Sequence, residues 1–240
     1  MRPEFYRCNM SEAPARISSE FFTFFRDLKD NNNRDWFRQN RSRYEEHVKV
    51  SLIAFIRMFE GPLHSISPHF KATPKVGGSL FRIYRDIRFS KDKRPYKTGA
   101  GVHFRHEAGK NAHAPGFYLH LEPNQVFAAV GIWGPDTRTL RQIRQAIVND
   151  PETWRRVIEA PEFARRYDRK LHAESLKRAP QGFDPNHPYI NDLKRKHFVA
   201  SVPMTEDQVC TPDFLVLLAE TYRHGAGFME YLTRALGLPW

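Results

Sequence analysis

The middle of the chain carries a concentrated basic segment. Its basic residues, opposed only by Asp86 and Asp92, are Arg82, Arg85, Arg88, Lys91, Lys93, Arg94 and Lys97. A guanidinium donates two parallel, charge-assisted hydrogen bonds to a phosphate or carboxylate. Tyr96 adds an aromatic ring and a hydroxyl beside these charges, and Pro95 restricts the loop that carries them. The segment therefore predicts a site for a phosphate-bearing ligand, and nucleic acid is one candidate.

A second polar and basic region follows the turn at residues 180–182 and includes Asp184, His187 and residues 194–196. A folded loop could bring its Arg178 to the first cluster. The predicted anion-binding residues are Arg82, Arg85, Arg88, Lys91, Lys93, Tyr96, Lys97 and Arg178. A structural alternative is a salt-bridge network, for which the available acidic partners are Asp86, Asp92 and Glu107.

An enzymatic alternative is also open. His120 stands between Leu119 and Leu121 in a predicted strand, so it points away from these two leucines. Imidazole is a common general acid or base near neutral pH, which makes His120 a candidate for proton transfer on a small phosphorylated or carboxylated substrate, with Asp86 as a second candidate. A deep pocket that joins the arginines to His120 would favour an enzyme, whereas a broad basic face would favour nucleic acid.

The sequence contains no standard motif for a metal, a cofactor or a nucleophile. The possible metal ligands are His103, His106, His113, His120 and Glu122, and their spacing matches no standard metal site. We therefore predict no metal and identify no cofactor. There is no nucleophile elbow and no Gly-rich phosphate loop. Whether the protein is an enzyme stays open at this stage.

Composition indicates a folded, basic protein. The chain has 240 residues, of which 40% are hydrophobic and 19 are Phe, with a formal net charge of +11. This predicts a single α+β domain over residues 18–240, preceded by a flexible tail at 1–17, and favours acidic partners. Cys8 and Cys210 are too few for a disulfide framework. No apolar run reaches eighteen residues and no signal peptide is visible, so we expect no membrane association and a cytoplasmic location. The oligomeric state is left open.

Periodicity predicts the elements that position these residues. A helix beginning near Ser19 presents Phe21, Phe24, Phe25 and Leu28 on one face, and Asn33 caps a longer helix that ends at Gly61-Pro62. Strands are predicted near 80–86, 101–105, 116–122, 126–133, 171–176 and 197–202, and helices at 136–150, at 151–170 in one or two pieces, at 189–195 and at 212–236. The expected architecture is an antiparallel or mixed sheet covered by N-terminal, middle and C-terminal helices.

Several long strings of residues are distinctive, namely Phe81–Lys97, Asn32–Arg34 with Trp36-Phe37, Pro115–His120, Gly131–Pro135, Leu140–Arg144 and Lys177–Phe183. Together they resemble an uncharacterised family of hypothetical proteins found mainly in bacteria, called domain of unknown function 2461. These strings follow the expected order between Ser19 and Leu236, with departures at Arg94 and Gln181. The resemblance implies membership of a family and no particular activity.

Overall fold

A five-stranded antiparallel sheet forms the centre of the protein. The computed structural model describes residues 16–109, 114–168 and 170–240. The strands are β1 (Phe70–Lys71), β2 (Ala100–His106), β3 (Gly116–Glu122), β4 (Gln125–Ile132) and β5 (Phe198–Met204). They lie in the sheet in chain order, and every neighbouring pair is antiparallel. This confirms the α+β class and resolves the antiparallel-or-mixed alternative in favour of an antiparallel sheet.

The helices precede, interrupt and follow the strands. They are α1 (Ser19–Asp30), α2 (Arg34–Gln39), α3 (Arg41–Arg43), a π-helical segment (Tyr44–Val50), α4 (Ser51–Met58), α5 (Glu60–His64), α6 (Thr137–Asn149), α7 (Pro151–Glu159), α8 (Pro161–Tyr167), α9 (Ile190–Leu193), α10 (Glu206–Val209), α11 (Phe214–His224) and α12 (Ala226–Ala235). The side chain of Asn33 caps α2 by accepting hydrogen bonds from the backbone N–H groups of Asp35 and Trp36, as predicted.

The two faces of the sheet differ in polarity. In β3, Phe117, Leu119 and Leu121 are fully buried, whereas the alternate residues Tyr118 and His120 are only partly buried. This follows from the two-residue period of a strand, which sends successive side chains to opposite faces. We call these the inner and outer faces.

Helices cover the inner face. The ring of Phe117 contacts that of Tyr222 in α11 at a centroid distance of 5.0 Å, and Phe104 of β2 stacks on Phe59 at 4.9 Å. Both α11 and α12 pack on β4. One continuous core therefore lies between the sheet and the helices and also includes α1, whose Phe21, Phe24, Phe25 and Leu28 are all buried as predicted.

Several predicted elements are wrong in detail. Residues 80–86 form no strand and make only isolated bridges, between Val76 and Leu80, between Leu80 and Val102, and between Tyr84 and Tyr96. Residues 171–176 likewise form only single bridges. Gly61 and Pro62 lie inside the short helix α5, where proline is tolerated because the N–H groups of a first turn have no intrahelical partner. The predicted C-terminal helix is two helices, α11 and α12.

The N-terminal tail prediction falls mostly outside the described residues, which begin at Arg16. Cys8 and His113 also lie outside them. Ile17, which that prediction included, is buried in the core, and the guanidinium of Arg16 donates a hydrogen bond to the carbonyl oxygen of Cys210. In the described part of the chain, no helix combines the length and apolarity needed to cross a bilayer.

Candidate functional site

The basic segment is anchored at its base. Tyr84 bridges to Tyr96, and the backbone N–H of Lys97 donates to the carbonyl of Ile83. The side-chain amide of Asn32 binds both backbone groups of Tyr96, donating to its carbonyl at 3.0 Å and accepting from its N–H at 3.1 Å. The ring of Tyr96 stacks on Phe37 of α2 at 4.2 Å. These contacts fix the backbone next to Lys97.

Two of the predicted anion-binding cations, Arg85 and Arg88, are neutralised locally, and so is Arg94 of the same segment. Asp86 pairs with Arg88 at 2.7 Å, and Asp92 pairs with both Arg85 and Arg94, also at 2.7 Å. Hydrogen bonds from Arg88 hold the pKa of Asp86 below its usual value, and hydrogen bonds from Arg94, assisted by Arg85, do the same for the pKa of Asp92. The salt-bridge alternative therefore describes these arginines. Glu107, the third carboxylate considered, instead pairs with His69 and Lys71.

The remaining cations have no carboxylate partner. Lys93 donates to the carbonyl of Ile87. Arg82 and Lys91 are exposed, and neither forms an ion pair with another described residue. Lys97 is half-buried, and its Nζ lies 5.2 Å from the centre of the Phe81 ring. Burial, followed by the nearby charge of Arg82, lowers the pKa of Lys97.

A cleft of about 460 Å³ opens between the basic segment and the outer face of the sheet. We call it the basic cleft. Its lining includes Phe81, Arg85, Asp92, Arg94, Lys97, Thr98, Tyr118, His120 and Glu122. Lys97, Arg85 and Arg94 bring three positive charges to it, against two carboxylates. Arg85 and Lys97, two of the predicted anion-binding cations, line this cleft together with His120. In the sequence-based prediction, a deep pocket joining the arginines to His120 favours an enzyme.

A row of hydrogen bonds runs along β3 on the wall of the basic cleft. The hydroxyl of Tyr118 lies 3.1 Å from Nδ1 of His120, and Nε2 of His120 lies 3.2 Å from a carboxylate oxygen of Glu122. The other Glu122 oxygen accepts a hydrogen bond from Thr98 at 2.6 Å. Burial and the charge of Glu122 raise the pKa of Tyr118 to about 12. The row fixes the orientation of the His120 ring on the cleft wall.

Glycines leave the room that these side chains need. A Cβ atom at Gly101, opposite His120 in β2, would lie 2.7 Å from the Tyr118 hydroxyl. One at Gly116 would lie 2.1 Å from Nε2 of His103. The Nδ1 atom of His103 accepts a hydrogen bond from Arg105, and burial, with the charge of Arg105, lowers the pKa of His103 to about 4. His103 is therefore a neutral packing residue behind the cleft wall.

A second cleft lies on the other side of Arg85. It has a volume of about 380 Å³ and is lined by Arg34, Tyr84, Arg85, Ile87, Pro95 and Tyr96. Tyr84 is about half exposed, and the nearby Phe89 is 95% exposed. We call this the aromatic cleft.

The structure does not bring every predicted residue to the basic cleft. Asp86 lies outside its lining, exposed and paired with Arg88. Arg178 is exposed on a segment that runs beside β5, since Leu171 bridges to Ala200 and Ser175 to Arg195, whereas the cleft lies at β2 and β3. His106 points into the core, where it binds the carbonyl of Pro239. The described residues contain no group of three His, Cys, Asp or Glu side chains able to hold a metal ion.

Sequence reasoning missed several residues of the basic cleft, namely Phe81, Thr98 and Tyr118. The alternation of β3 contained the signal for Tyr118, because it places residues 118, 120 and 122 on one face. No comparable signal marked Phe81 or Thr98, since the segment 80–98 has no regular period.

Comparison with known proteins places the chain in a family. Residues 20–231 match the model of the family described as conserved hypothetical protein (DUF2461). The match covers most of the chain, so the chain belongs to this family, as the resemblance had implied. No curated protein and no solved structure matches the chain significantly.

Proposed function

We propose that this member of the DUF2461 family binds a small molecule carrying a phosphate or carboxylate group in the basic cleft. One observation carries the proposal: Lys97 presents a half-buried ammonium to the cleft, and no carboxylate among the described residues pairs with it. A buried charge is costly unless a counter-charge accompanies it. A bound anion would supply that charge, and Arg85 and Arg94, which share the single carboxylate of Asp92, would add to the attraction.

The size of the cleft supports a small ligand. Pockets for small molecules typically have volumes of ~300–1,000 Å³, and the basic cleft falls within that range at about 460 Å³. Phe81 and the outer face of β3 close it on two sides. A polymer lying across the surface would contact exposed cations such as Arg82 and Lys91 more readily than the half-buried Lys97.

The test is isothermal titration with inorganic phosphate and glycerol phosphate at low and high salt. A hydrogen bond to a charged group contributes ~1.5–3 kcal/mol, so Lys97→Met should raise the Kd at least roughly tenfold, whereas Lys97→Arg should retain most of the affinity. Lys91→Met is the matched control, because Lys91 is also unpaired but is exposed and outside the cleft lining. Equal affinities for wild type and Lys97→Met would refute the proposal.

A second candidate is single-stranded nucleic acid on the outside of the basic segment. It is favoured by the exposed rings of Tyr84 and Phe89, which belong to the same segment as the unpaired Arg82 and Lys91. Bases stack on exposed aromatic rings while cations meet phosphates. In this case Phe89→Ala and Lys91→Met would weaken binding of a labelled oligonucleotide, and Lys91→Met would reduce the dependence of the affinity on salt by about one unit of slope. Lys97→Met would then have the smaller effect.

A further inference from the structure

The basic cleft contains a lysine in surroundings unlike those of the neighbouring lysines. Lys91 is exposed, and Lys93 is held by a backbone carbonyl. Lys97 instead lies over the ring of Phe81, lines the cleft and forms no ion pair with any described residue. A lysine is activated as a nucleophile when it is desolvated or lies next to another cation. Lys97 is half-buried in the cleft against Phe81, and burial, followed by the charge of Arg82, lowers its pKa.

We infer that Lys97 forms a Schiff base with a carbonyl compound that also carries an anionic group, of which a 2-oxo carboxylic acid is the simplest class. The inference rests on the proposed anion site, since the carboxylate of the substrate would be held by the surplus positive charge of Arg85 and Arg94. The carbonyl carbon would then lie toward Nζ of Lys97.

The reaction balances without another reactant. The ammonium of Lys97 loses a proton, and its nitrogen forms a bond to the carbonyl carbon. The carbonyl oxygen, protonated to a hydroxyl and then to water, leaves with the electron pair of the C–O bond. An ammonium and a ketone thus give an iminium and water, and the positive charge stays at the nitrogen. The iminium can then lose a proton from the neighbouring carbon to give an enamine.

The row along β3 suits the proton transfers that these steps require. Tyr118 and His120 line the same cleft as Lys97. His120 is hydrogen-bonded on one side to Tyr118 and on the other to Glu122, which Thr98 holds in place. Both ring nitrogens of His120 are engaged, so a proton would pass between His120 and a group in the cleft through the Tyr118 hydroxyl. Glu122 and Thr98 are positioning residues, because they act through His120.

The lowered pKa of Lys97 agrees with this role. Burial and the charge of Arg82 both disfavour the ammonium, so a larger fraction of the amine is neutral at a given pH than for an exposed lysine. Adduct formation should therefore persist to a lower pH at Lys97 than at Lys91.

The experiment is reductive trapping. The full chain is incubated with pyruvate and, separately, with glyoxylate, reduced with sodium borohydride, and mapped by peptide mass spectrometry. We expect one carboxyalkyl group at Lys97, with occupancy roughly tenfold higher than at Lys91 or Lys93. Lys97→Arg should lose this adduct, while Lys91→Arg should keep it. Adducts spread evenly over surface lysines, or unchanged total labelling in Lys97→Arg, would overturn the inference.

The same variants separate this inference from the proposed function. Lys97→Arg keeps the positive charge and loses the primary amine. Phosphate binding retained in Lys97→Arg, with trapping absent in the wild type, would overturn the Schiff base alone. If Lys97 is trapped in a wild-type protein that binds neither phosphate nor glycerol phosphate, the proposed anion binding is refuted and the Schiff base at Lys97 is supported. His120→Gln gives a further readout: the trapping rate should fall, while the melting temperature stays close to that of the wild type.

Discussion

Removing the carboxylate of Glu122 should tighten anion binding in the basic cleft. Glu122→Gln keeps the side-chain shape and an oxygen that can still accept from Thr98, but it removes a negative charge from the cleft wall. A cleft of about 460 Å³ has the volume of a sphere of about 5 Å radius, so we take a distance of ~6 Å between the Glu122 carboxylate and the centre of a bound anion. At this distance Coulomb's law gives a repulsion of ~0.7 kcal/mol at the dielectric constant of water. At an effective dielectric constant of 20 the repulsion is ~2.8 kcal/mol.

The smaller figure is nearer to the expected effect, since the cleft is open to solvent. Measured interactions of exposed charge pairs are ~0.2–1 kcal/mol. We therefore expect a gain of about 1 kcal/mol, which is roughly fivefold in the Kd of inorganic phosphate at low salt. The gain should shrink as salt is added, because the Debye length falls to ~8 Å at physiological ionic strength.

The assay is calorimetric titration of phosphate into the wild type, Glu122→Gln and Glu107→Gln. Glu107 is the matched control, because it is also paired with a histidine but lies outside the lining of the cleft. Unchanged affinity in Glu122→Gln would show that the anion does not bind near this wall. Weaker binding would refute the electrostatic reasoning outright, since it would mean that Glu122 attracts the ligand. His120→Gln separates loss of the charge from loss of the imidazole contact.

Three further results are expected from the positioning contacts. Asn32→Ala should weaken phosphate binding and lower the melting temperature, because it removes both hydrogen bonds to Tyr96; Asn31→Ala, whose side chain binds only within its own helix end, should do neither. Gly116→Ala should destabilise the fold by ~1–3 kcal/mol in urea unfolding, because its Cβ would overlap His103. Finally, the pKa of His103 is lowered from 6.5 to about 4 in the folded state, so the unfolded chain binds more protons than the folded chain between these pH values. The free energy of unfolding should therefore fall by up to about 3 kcal/mol as the pH is lowered through this range. The fall should be smaller in His103→Gln.

The central strands could be predicted because their periodicity and their turn agree. In β3 buried and partly buried residues alternate, whereas β4 is buried along most of its length. Pro123-Asn124 forms the turn between the two strands. Asn124 has a positive φ of 64°, which asparagine tolerates better than most residues. Local preference and tertiary packing thus specify the same hairpin. That agreement is why the predicted bounds of β3 match the observed ones.

The strand predicted at residues 80–86 was wrong because the strand propensity of the segment competes with local side-chain hydrogen bonds. Ile83 and Tyr84 favour a strand, but only the bridges at Leu80 and Tyr84 form. The carboxylate of Asp86 accepts hydrogen bonds from both the backbone and the guanidinium of Arg88, two residues further on. Such local side-chain bonds compete with the ladder of a sheet. They fold the chain into a loop where a strand was expected.

The same local bonds determine which cations remain available to a ligand. Asp86 precedes Arg88 by two residues, as Asp92 precedes Arg94, and both aspartates accept from the backbone N–H and the guanidinium of that arginine. This Asp-x-Arg spacing is visible in the sequence and would have removed Arg88 from the predicted anion site, which did not include Arg94. The capture of Arg85 by Asp92 and the burial of Lys97 against Phe81 depend on tertiary folding, so no spacing rule reveals them. Most arginines of the basic segment therefore stabilise its loop, and the cation that we propose to meet a ligand is the lysine at its end.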